Sequence, residues 1–172
     1  RLQNALSATG LDAQMFVQRH PDAHSTQLNG FPIPWWISPA ASRAITRLDG
    51  AGPIRSINYL PTGRLGAING GSADLVNLHW LGSDTLSIRE IGGITKPCVW
   101  TFHDMWAFCG TEHISPDTPE SRWRLGYPPL PQRGFDLDAR IWKHKQRHYP
   151  EHGFAVCPSH WLTRCVQDSA LL

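Results

Sequence analysis

The chain has 172 residues, of which 41% are hydrophobic and only 17% are charged, and its net charge at pH 7 is +2. This length predicts one domain, and ordinary apolar content with little charge excludes intrinsic disorder. No apolar run is long enough for a transmembrane helix, and the small net charge favours neither nucleic acid nor an anionic membrane as a partner.

The first predicted element is a helix that ends at Gly10. It places two leucines four positions apart on one face, and glycine is common directly after a helix. The apolar segment 13–18 (AQMFVQ) is a predicted short strand. A second helix is predicted over 38–48, because it has serine at its N-cap, proline in its first turn and Gly50 after its end.

Two strands with a helix between them follow. The segments 74–80 (DLVNLHW) and 97–103 (PCVWTFH) are predicted strands. The second is a nearly continuous β-branched and aromatic run, which is typical of a strand buried on both faces of a parallel sheet. Between them, a short helix is predicted over 83–91, closed by two glycines.

The chain ends with a helix, a strand and another helix. Asp136 or Asp138 begins the first helix, its basic residues fall late as the helix dipole favours, and Pro150 stops it. Residues 153–158 (GFAVCP) form the last predicted strand, and Ser159 caps the last helix. Strands that alternate with helices predict an α/β fold with a parallel sheet.

The long segment 104–135 breaks this alternation. It contains five prolines and has no clear helical or strand period. Loops longer than about 15 residues in a compact domain are usually functional or disordered. This one also carries Trp106, His113, Trp123 and Tyr127, too many aromatic rings for a solvated linker. We therefore interpret it as a binding loop.

Histidines end both central strands. In open parallel sheets, ligands bind beyond the carboxyl ends of the strands, so His79 and His103 are expected at the mouth of one crevice. His103 can donate a hydrogen bond to an anionic or sugar oxygen, while Asp104 orients its ring or the loop. The alternative is that each histidine only satisfies a neighbouring polar group.

Other chemistries have weaker signals. His103, Cys109 and His113, with His79 in support, would be a metal-ligand set, but no second pair has a familiar zinc spacing. We therefore predict no metal site. The four cysteines form no CxxC pair, and we expect reduced thiols. The sequence lacks both the GxSxG motif of a hydrolase and the GxGxxG motif of a dinucleotide site.

Eight tryptophans are unusual for this length. Trp80, Trp106 and Trp123 lie at strand ends or in the long loop, where an aromatic face can stack on a sugar ring. Burial of the rings beneath the loop is the alternative. Arg122 and Arg124 bracket Trp123 and can pair with a phosphate or form a solvated surface pair.

Three segments carry a family resemblance: SADLVNLHWLG (72–82), KPCVWTFHDMWAFCGTEH (96–113) and VCPSHWLTRCVQDSALL (156–172). Together they resemble bacterial family 4 glycosyltransferases, which have the two-domain GT-B fold. The similarity is closest to the subgroup that acts in colanic acid and other exopolysaccharide or cell-envelope synthesis. HDMW after an apolar strand is far more specific than a lone histidine, and RWRLGY (122–127) is similar to one branch of the group.

The resemblance implies that 1–172 is a single Rossmann-like N-terminal domain, on the acceptor side and truncated at both ends. Its parent would transfer a hexose from a nucleotide-sugar to a glycan or lipid-linked acceptor, with retention of configuration. No cofactor is implied beyond the nucleotide-sugar as co-substrate, which would bind mainly to an absent C-terminal domain. The chain alone is therefore expected to be inactive.

The resemblance also implies roles for individual residues. His103 matches the histidine that faces the donor sugar and phosphates, and Asp104 matches its partner, so these two form the implied catalytic pair. His79 and Trp80 match the adjacent strand end, and Ser159 the helix start that borders the cleft. Four loop residues complete the predicted substrate-binding set: Trp106, His113, Arg122 and Trp123.

The expected location is the cytoplasm, with the parent associating peripherally with the inner face of the cytoplasmic membrane and binding no nucleic acid. Two other functions remain open from the residues. One is a non-catalytic carbohydrate-binding module that uses the loop tryptophans as a stacking platform. The other is a metal-dependent hydrolase centred on His103, Cys109 and His113.

Overall fold

The computed structural model describes residues 2–18, 25–27, 40, 42, 44–45, 55–130, 134–149 and 153–172. Across these ranges the chain is mixed α/β with two small parallel sheets, which confirms the α/β class predicted from the sequence. No helix within these ranges is long and apolar enough to cross a membrane. The helix predicted over 38–48 lies mostly outside the described residues.

The first part of the chain forms a small sheet of its own. Its elements are helix α1 (Leu2–Ala8) and strands β1 (Met15–Val17) and β2 (Ser25–Gln27), and β1 pairs with β2 in parallel. The helix ends before Gly10, whose φ is +86°, as predicted. The strand predicted over 13–18 is present, but it does not join the other predicted strands. Its partner β2 was not predicted, because the sequence STQ has no apolar residue.

The main sheet has three parallel strands in the order β3-β4-β5. A short helix, α2 (Leu65–Gly70), precedes it, and its strands are β3 (Val76–Leu78), β4 (Cys98–Thr101) and β5 (Phe154–Val156). All three strands were predicted and are shorter than their predicted ranges. The prediction that β4 is buried on both faces is wrong, since its residues are only half-buried. Strand β5 lies at one edge, with Phe154 77% exposed.

Four helices follow β3, and polar caps fix where three of them begin. They are α3 (Ile88–Gly92), α4 (Arg122–Leu125), α5 (Leu137–His148) and α6 (His160–Gln167). Helix α5 begins after Asp136 and α6 after Ser159, as predicted. Helix α3 starts later than predicted because Ser83 and Asp84 have positive φ angles. Its start is instead fixed by a capping box in which Ser87 and Glu90 bond each other's backbone N–H groups.

The segment 104–135 contributes much of the core. Helix α4 lies within it, and several of its side chains pack against Trp142 of α5 and against Leu162 and Cys165 of α6. The buried members from this segment are Met105, Ala107, Phe108, Cys109, Trp123 and Tyr127. A second cluster joins Leu78 of β3 to α3 and α5, and includes Trp106. The aromatic residues that suggested a binding loop therefore mostly fill the interior.

A buried lysine ties the turn after β4 to helix α5. The Lys145 ammonium donates hydrogen bonds to the carbonyls of Trp106, Cys109 (3.0 Å) and Gly110 (2.7 Å). It also lies 3.9 Å from the centre of the Trp106 ring. Burial lowers the pKa of Lys145 to about 7. Only the charged form has three N–H bonds for three carbonyls, so this form satisfies the turn completely.

Replacing Lys145 by methionine should lower the free energy of unfolding by about 3 kcal/mol or more, because three buried carbonyls lose their donor. Urea denaturation of the purified protein measures this. The matched control is Lys143→Met on the same helix, where the side chain is exposed and the expected change is within about 0.5 kcal/mol. Equal stability of the two variants would show that Lys145 does not hold the turn.

Candidate functional site

Parallel pairing brings three strand ends to one edge of the main sheet. His79 and Trp80 follow β3, His103 and Asp104 lie just beyond β4, and Ser159 follows β5. A small cleft opens at this edge, lined by Trp80, Gly82, His103, Asp104, Trp106 and His113 among others. The carboxyl edge of an open α/β sheet is the usual place for a ligand. The cleft is therefore the candidate functional site.

The two strand-end histidines bond each other. Nδ1 of His79 lies 3.0 Å from Nε2 of His103, and His103 is the more exposed ring. Burial lowers the pKa of His79, and the neighbouring His103 lowers it further, which favours the neutral form of His79. One of the two bonded nitrogens donates a hydrogen to the other, and the tautomers decide which. Nδ1 of His103 has no partner among the described residues and is the ring nitrogen left for a ligand.

The Asp104 carboxylate accepts three hydrogen bonds. Oδ2 accepts from Nε1 of Trp80 (2.8 Å) and from Nδ1 of His113 (2.6 Å), while Oδ1 accepts from the Trp106 backbone N–H (2.9 Å). Burial raises the pKa of Asp104, but the bonds and charge of His113 and the N–H groups of Trp106 and Trp80 outweigh it and lower the pKa. Asp104 thus holds the loop and Trp80, whereas the His103 ring is oriented by His79.

Ser56 belongs to the site, although no pattern in the sequence predicted it. Its Oγ lies 2.8 Å from Nε2 of His113 and accepts a hydrogen bond from the Ser83 backbone N–H at 3.0 Å. Its carbonyl accepts from Nε1 of Trp106 at 2.8 Å. Because Ser56 and His113 lie 57 positions apart in sequence, only the fold reveals their contact.

The loop tryptophans predicted to bind substrate differ from Trp80 in exposure. Trp106 and Trp123 are 2% and 0% exposed, so their faces are not available to a ligand. Trp106 lines the floor of the cleft, whereas Trp123 lies in the core and donates to the Pro116 carbonyl. Trp80 is 50% exposed and presents an aromatic surface at the cleft.

Arg122 and Ser159 have other partners. Arg122 pairs with Asp136, and its guanidinium lies 4.7 Å from the centre of the Tyr127 ring. Ser159 lies at the carboxyl edge, but its Oγ accepts from the Leu162 backbone N–H as the cap of α6. The structure therefore unites His79, Trp80, His103, Asp104, Trp106 and His113, and leaves Arg122 and Trp123 outside this set.

The candidate metal ligands are not assembled. Within the part of the chain that the structure describes, no three His, Cys, Asp or Glu side chains are arranged to hold a metal ion. Both ring nitrogens of His113 are used by Asp104 and Ser56. Cys109 is fully buried, and burial raises the pKa of its thiol. All four cysteines are unpaired.

Comparison with known proteins identifies no relative: no family model, no curated protein and no solved structure matches this sequence. Support for a function therefore comes from the geometry of the cleft and from the motif resemblance. Both centre on the residues that end β3 and β4.

Asp104→Asn should destabilise the protein at neutral pH, because the Asp104 carboxylate accepts the hydrogen bonds of all three donors, Trp80, His113 and the Trp106 backbone. The folded-state pKa of Asp104 is lowered, so its stabilising contribution is present above the unfolded pKa of about 4 and is lost as pH falls through the folded value. Urea unfolding at about pH 7 and about pH 3 should show the difference between wild type and variant shrinking in acid. Asp74→Asn, at an exposed aspartate, is the control. A difference independent of pH would contradict the assignment.

Proposed function

We propose that the chain is a Rossmann-like, acceptor-side domain of a retaining GT-B glycosyltransferase. Its parent transfers a hexose from a nucleotide-sugar to a glycan or lipid-linked acceptor in envelope polysaccharide synthesis, at the cytoplasmic face of the membrane. One observation carries the proposal: His103 lies exposed at the end of the central strand, with its ring oriented by His79 at 3.0 Å.

The chemistry of sugar transfer suits a histidine held in this way. When a nucleotide-sugar is cleaved, negative charge builds on the leaving diphosphate and the sugar gains positive character. Nε2 of His103 is committed to His79, so Nδ1 is the ring nitrogen left for a ligand. This nitrogen accepts a hydrogen bond from a sugar hydroxyl or, when it carries a hydrogen, donates one to a phosphate oxygen. A donor already fixed in place stabilises such charge without reorganising.

Asp104 serves this site as a positioning residue. Its carboxylate already accepts from Trp80, His113 and Trp106, so it has little capacity left to take a proton from a substrate. It holds the end of β3 and the turn after β4 in register around the cleft. This role differs from that of a proton-transfer partner of His103.

The alternative functions have less support from the geometry. A carbohydrate-binding module would need several accessible rings, and of the three tryptophans considered for that platform only Trp80 is exposed. A metal-dependent hydrolase would need His103, Cys109 and His113 together, and the described residues hold no such group. Transfer of a sugar therefore remains the better proposal.

The proposal is tested by assaying transfer directly. The complete gene product is incubated with a panel of labelled UDP- and GDP-hexoses and with membranes from the expressing bacterium as the source of acceptor. Label should enter the lipid or polysaccharide fraction with at least one donor. Absence of transfer with every donor, from protein that is folded, would contradict a hexosyltransferase.

In the active enzyme, His103→Ala should lower turnover by about 10²–10³-fold, the loss expected for one preorganised donor. The melting temperature should stay close to that of wild type, since His103 is exposed. His148→Ala is the control, because this half-buried histidine of α5 contacts His144 rather than the cleft. Unchanged turnover per folded molecule, with a lower melting temperature, would make His103 a structural residue.

A further inference from the structure

A buried chain of hydrogen bonds runs from Ser56 to the half-exposed Trp80. Ser56 Oγ bonds His113 Nε2 at 2.8 Å, His113 Nδ1 bonds Asp104 Oδ2 at 2.6 Å, and the same oxygen accepts from Trp80 Nε1 at 2.8 Å. The first three residues have the connectivity of a hydrolase Ser-His-Asp triad. The role of these hydrogen-bonded residues depends on the direction of their hydrogen bonds and on whether they are accessible to solvent.

The hydrogen bonds hold Asp104 whichever way the last of them runs. The Asp104 carboxylate can only accept, so Nδ1 of His113 carries a hydrogen. Ser56 Oγ accepts from the Ser83 N–H and still has a hydrogen and a second lone pair, so it can donate to Nε2 of His113 or accept from it. In either arrangement both ring nitrogens of His113 are bonded, and the Asp104 side chain is fixed from the interior.

Access excludes the role of a nucleophile. Ser56 is 3% exposed and does not line the cleft, and His113, which does, is only 2% exposed, so the Ser56 hydroxyl is not available to a substrate. The Ser56 backbone is committed as well, because its carbonyl accepts from the Trp106 indole. A triad buried in this way can orient a group but cannot attack one.

The group that it orients is Trp80. The indole lies against Gly82, where a Cβ atom would come within 2.4 Å of its Cζ2 atom. The centre of the His113 ring lies 5.7 Å from that of Trp80. The indole is thus supported by Gly82 and His113 and tied by its N–H to Asp104. Trp80 as a whole remains 50% exposed, in a cleft that His103 also lines.

We propose that Ser56 and His113 are positioning residues, which hold Asp104 so that the Trp80 indole forms the surface on which the pyranose ring of the substrate stacks. The C–H face of a hexose packs on an aromatic ring, and the ring must be fixed for stacking to place the sugar beside His103. The sugar as ligand rests on the proposed function, whereas the positioning of Trp80 stands on the geometry alone.

The positioning is tested by NMR of the ¹⁵N-labelled chain, in which the indole N–H signal of Trp80 is identified by its loss in Trp80→Phe. Ser56→Ala should shift that signal and speed its hydrogen exchange. Ser169→Ala is the control, because among the described residues the Ser169 hydroxyl bonds Leu172 alone. An unshifted Trp80 signal in Ser56→Ala would overturn the inference, as would labelling of Ser56 by a fluorophosphonate.

Sugar stacking is tested by titrating methyl glycosides while following the Trp80 indole signal or, in variants that lack Trp80, the backbone amide signals of the residues that line the cleft. Ser56→Ala should weaken binding by about tenfold and have no further effect in a Trp80→Ala background, as expected for coupled residues. Gly82→Ala should weaken binding similarly, since it displaces the indole directly and leaves the bonds among Ser56, His113 and Asp104 in place. This variant serves as the test if Ser56→Ala does not fold.

In the complete enzyme, Ser56→Ala should raise KM for the sugar substrate and leave kcat nearly unchanged, because stacking contributes equally in the ground and transition states. If glycosides perturb the Trp80 signal but the protein has no transfer activity, this inference is supported and the transferase proposal fails. Transfer activity with a KM that does not respond to Trp80→Ala would overturn the stacking role and leave the transferase intact.

Discussion

A single carboxylate joins the parts of the chain that form the cleft. Asp104 accepts hydrogen bonds from Trp80 at the end of β3, from Trp106 in the turn after β4, and from His113 further along the loop. Strand pairing aligns the backbones of β3 and β4, but it does not orient the side chains beyond their ends. The ionised carboxylate does so, and this makes the cleft a defined site.

Buried charges organise irregular backbone elsewhere in the molecule. Glu90, besides capping α3, accepts from the backbone N–H groups of Thr62, Gly63 and Arg64. Lys145 donates to three carbonyls of the turn after β4. Each ion replaces the repeating hydrogen bonds that a helix or strand would supply, which lets segments without regular structure pack inside the protein.

Local signals in the sequence predicted much of the fold. Serine and aspartate caps located helices α5 and α6, and apolar runs located the strands of the main sheet. The positions of His79, His103 and Asp104 at the ends of predicted parallel strands also identified them as neighbours. The role of Ser56 was beyond prediction because its contact with His113 depends on tertiary packing. The burial of Trp123 could not be predicted either, because a proline-rich loop with aromatic residues has the same sequence pattern whether it covers a ligand or fills a core.

The contact between Lys145 and the turn after β4 also bears on how the chain is made. The carbonyl of Trp106 and the ammonium that satisfies it are 39 residues apart in sequence. At a synthesis rate of about 5–20 residues per second, the ribosome completes α5 some seconds after the apolar run 105–109. During that interval the run has no partner helix. Nascent-chain folding around the cleft therefore waits for a helix that contributes nothing to the cleft surface.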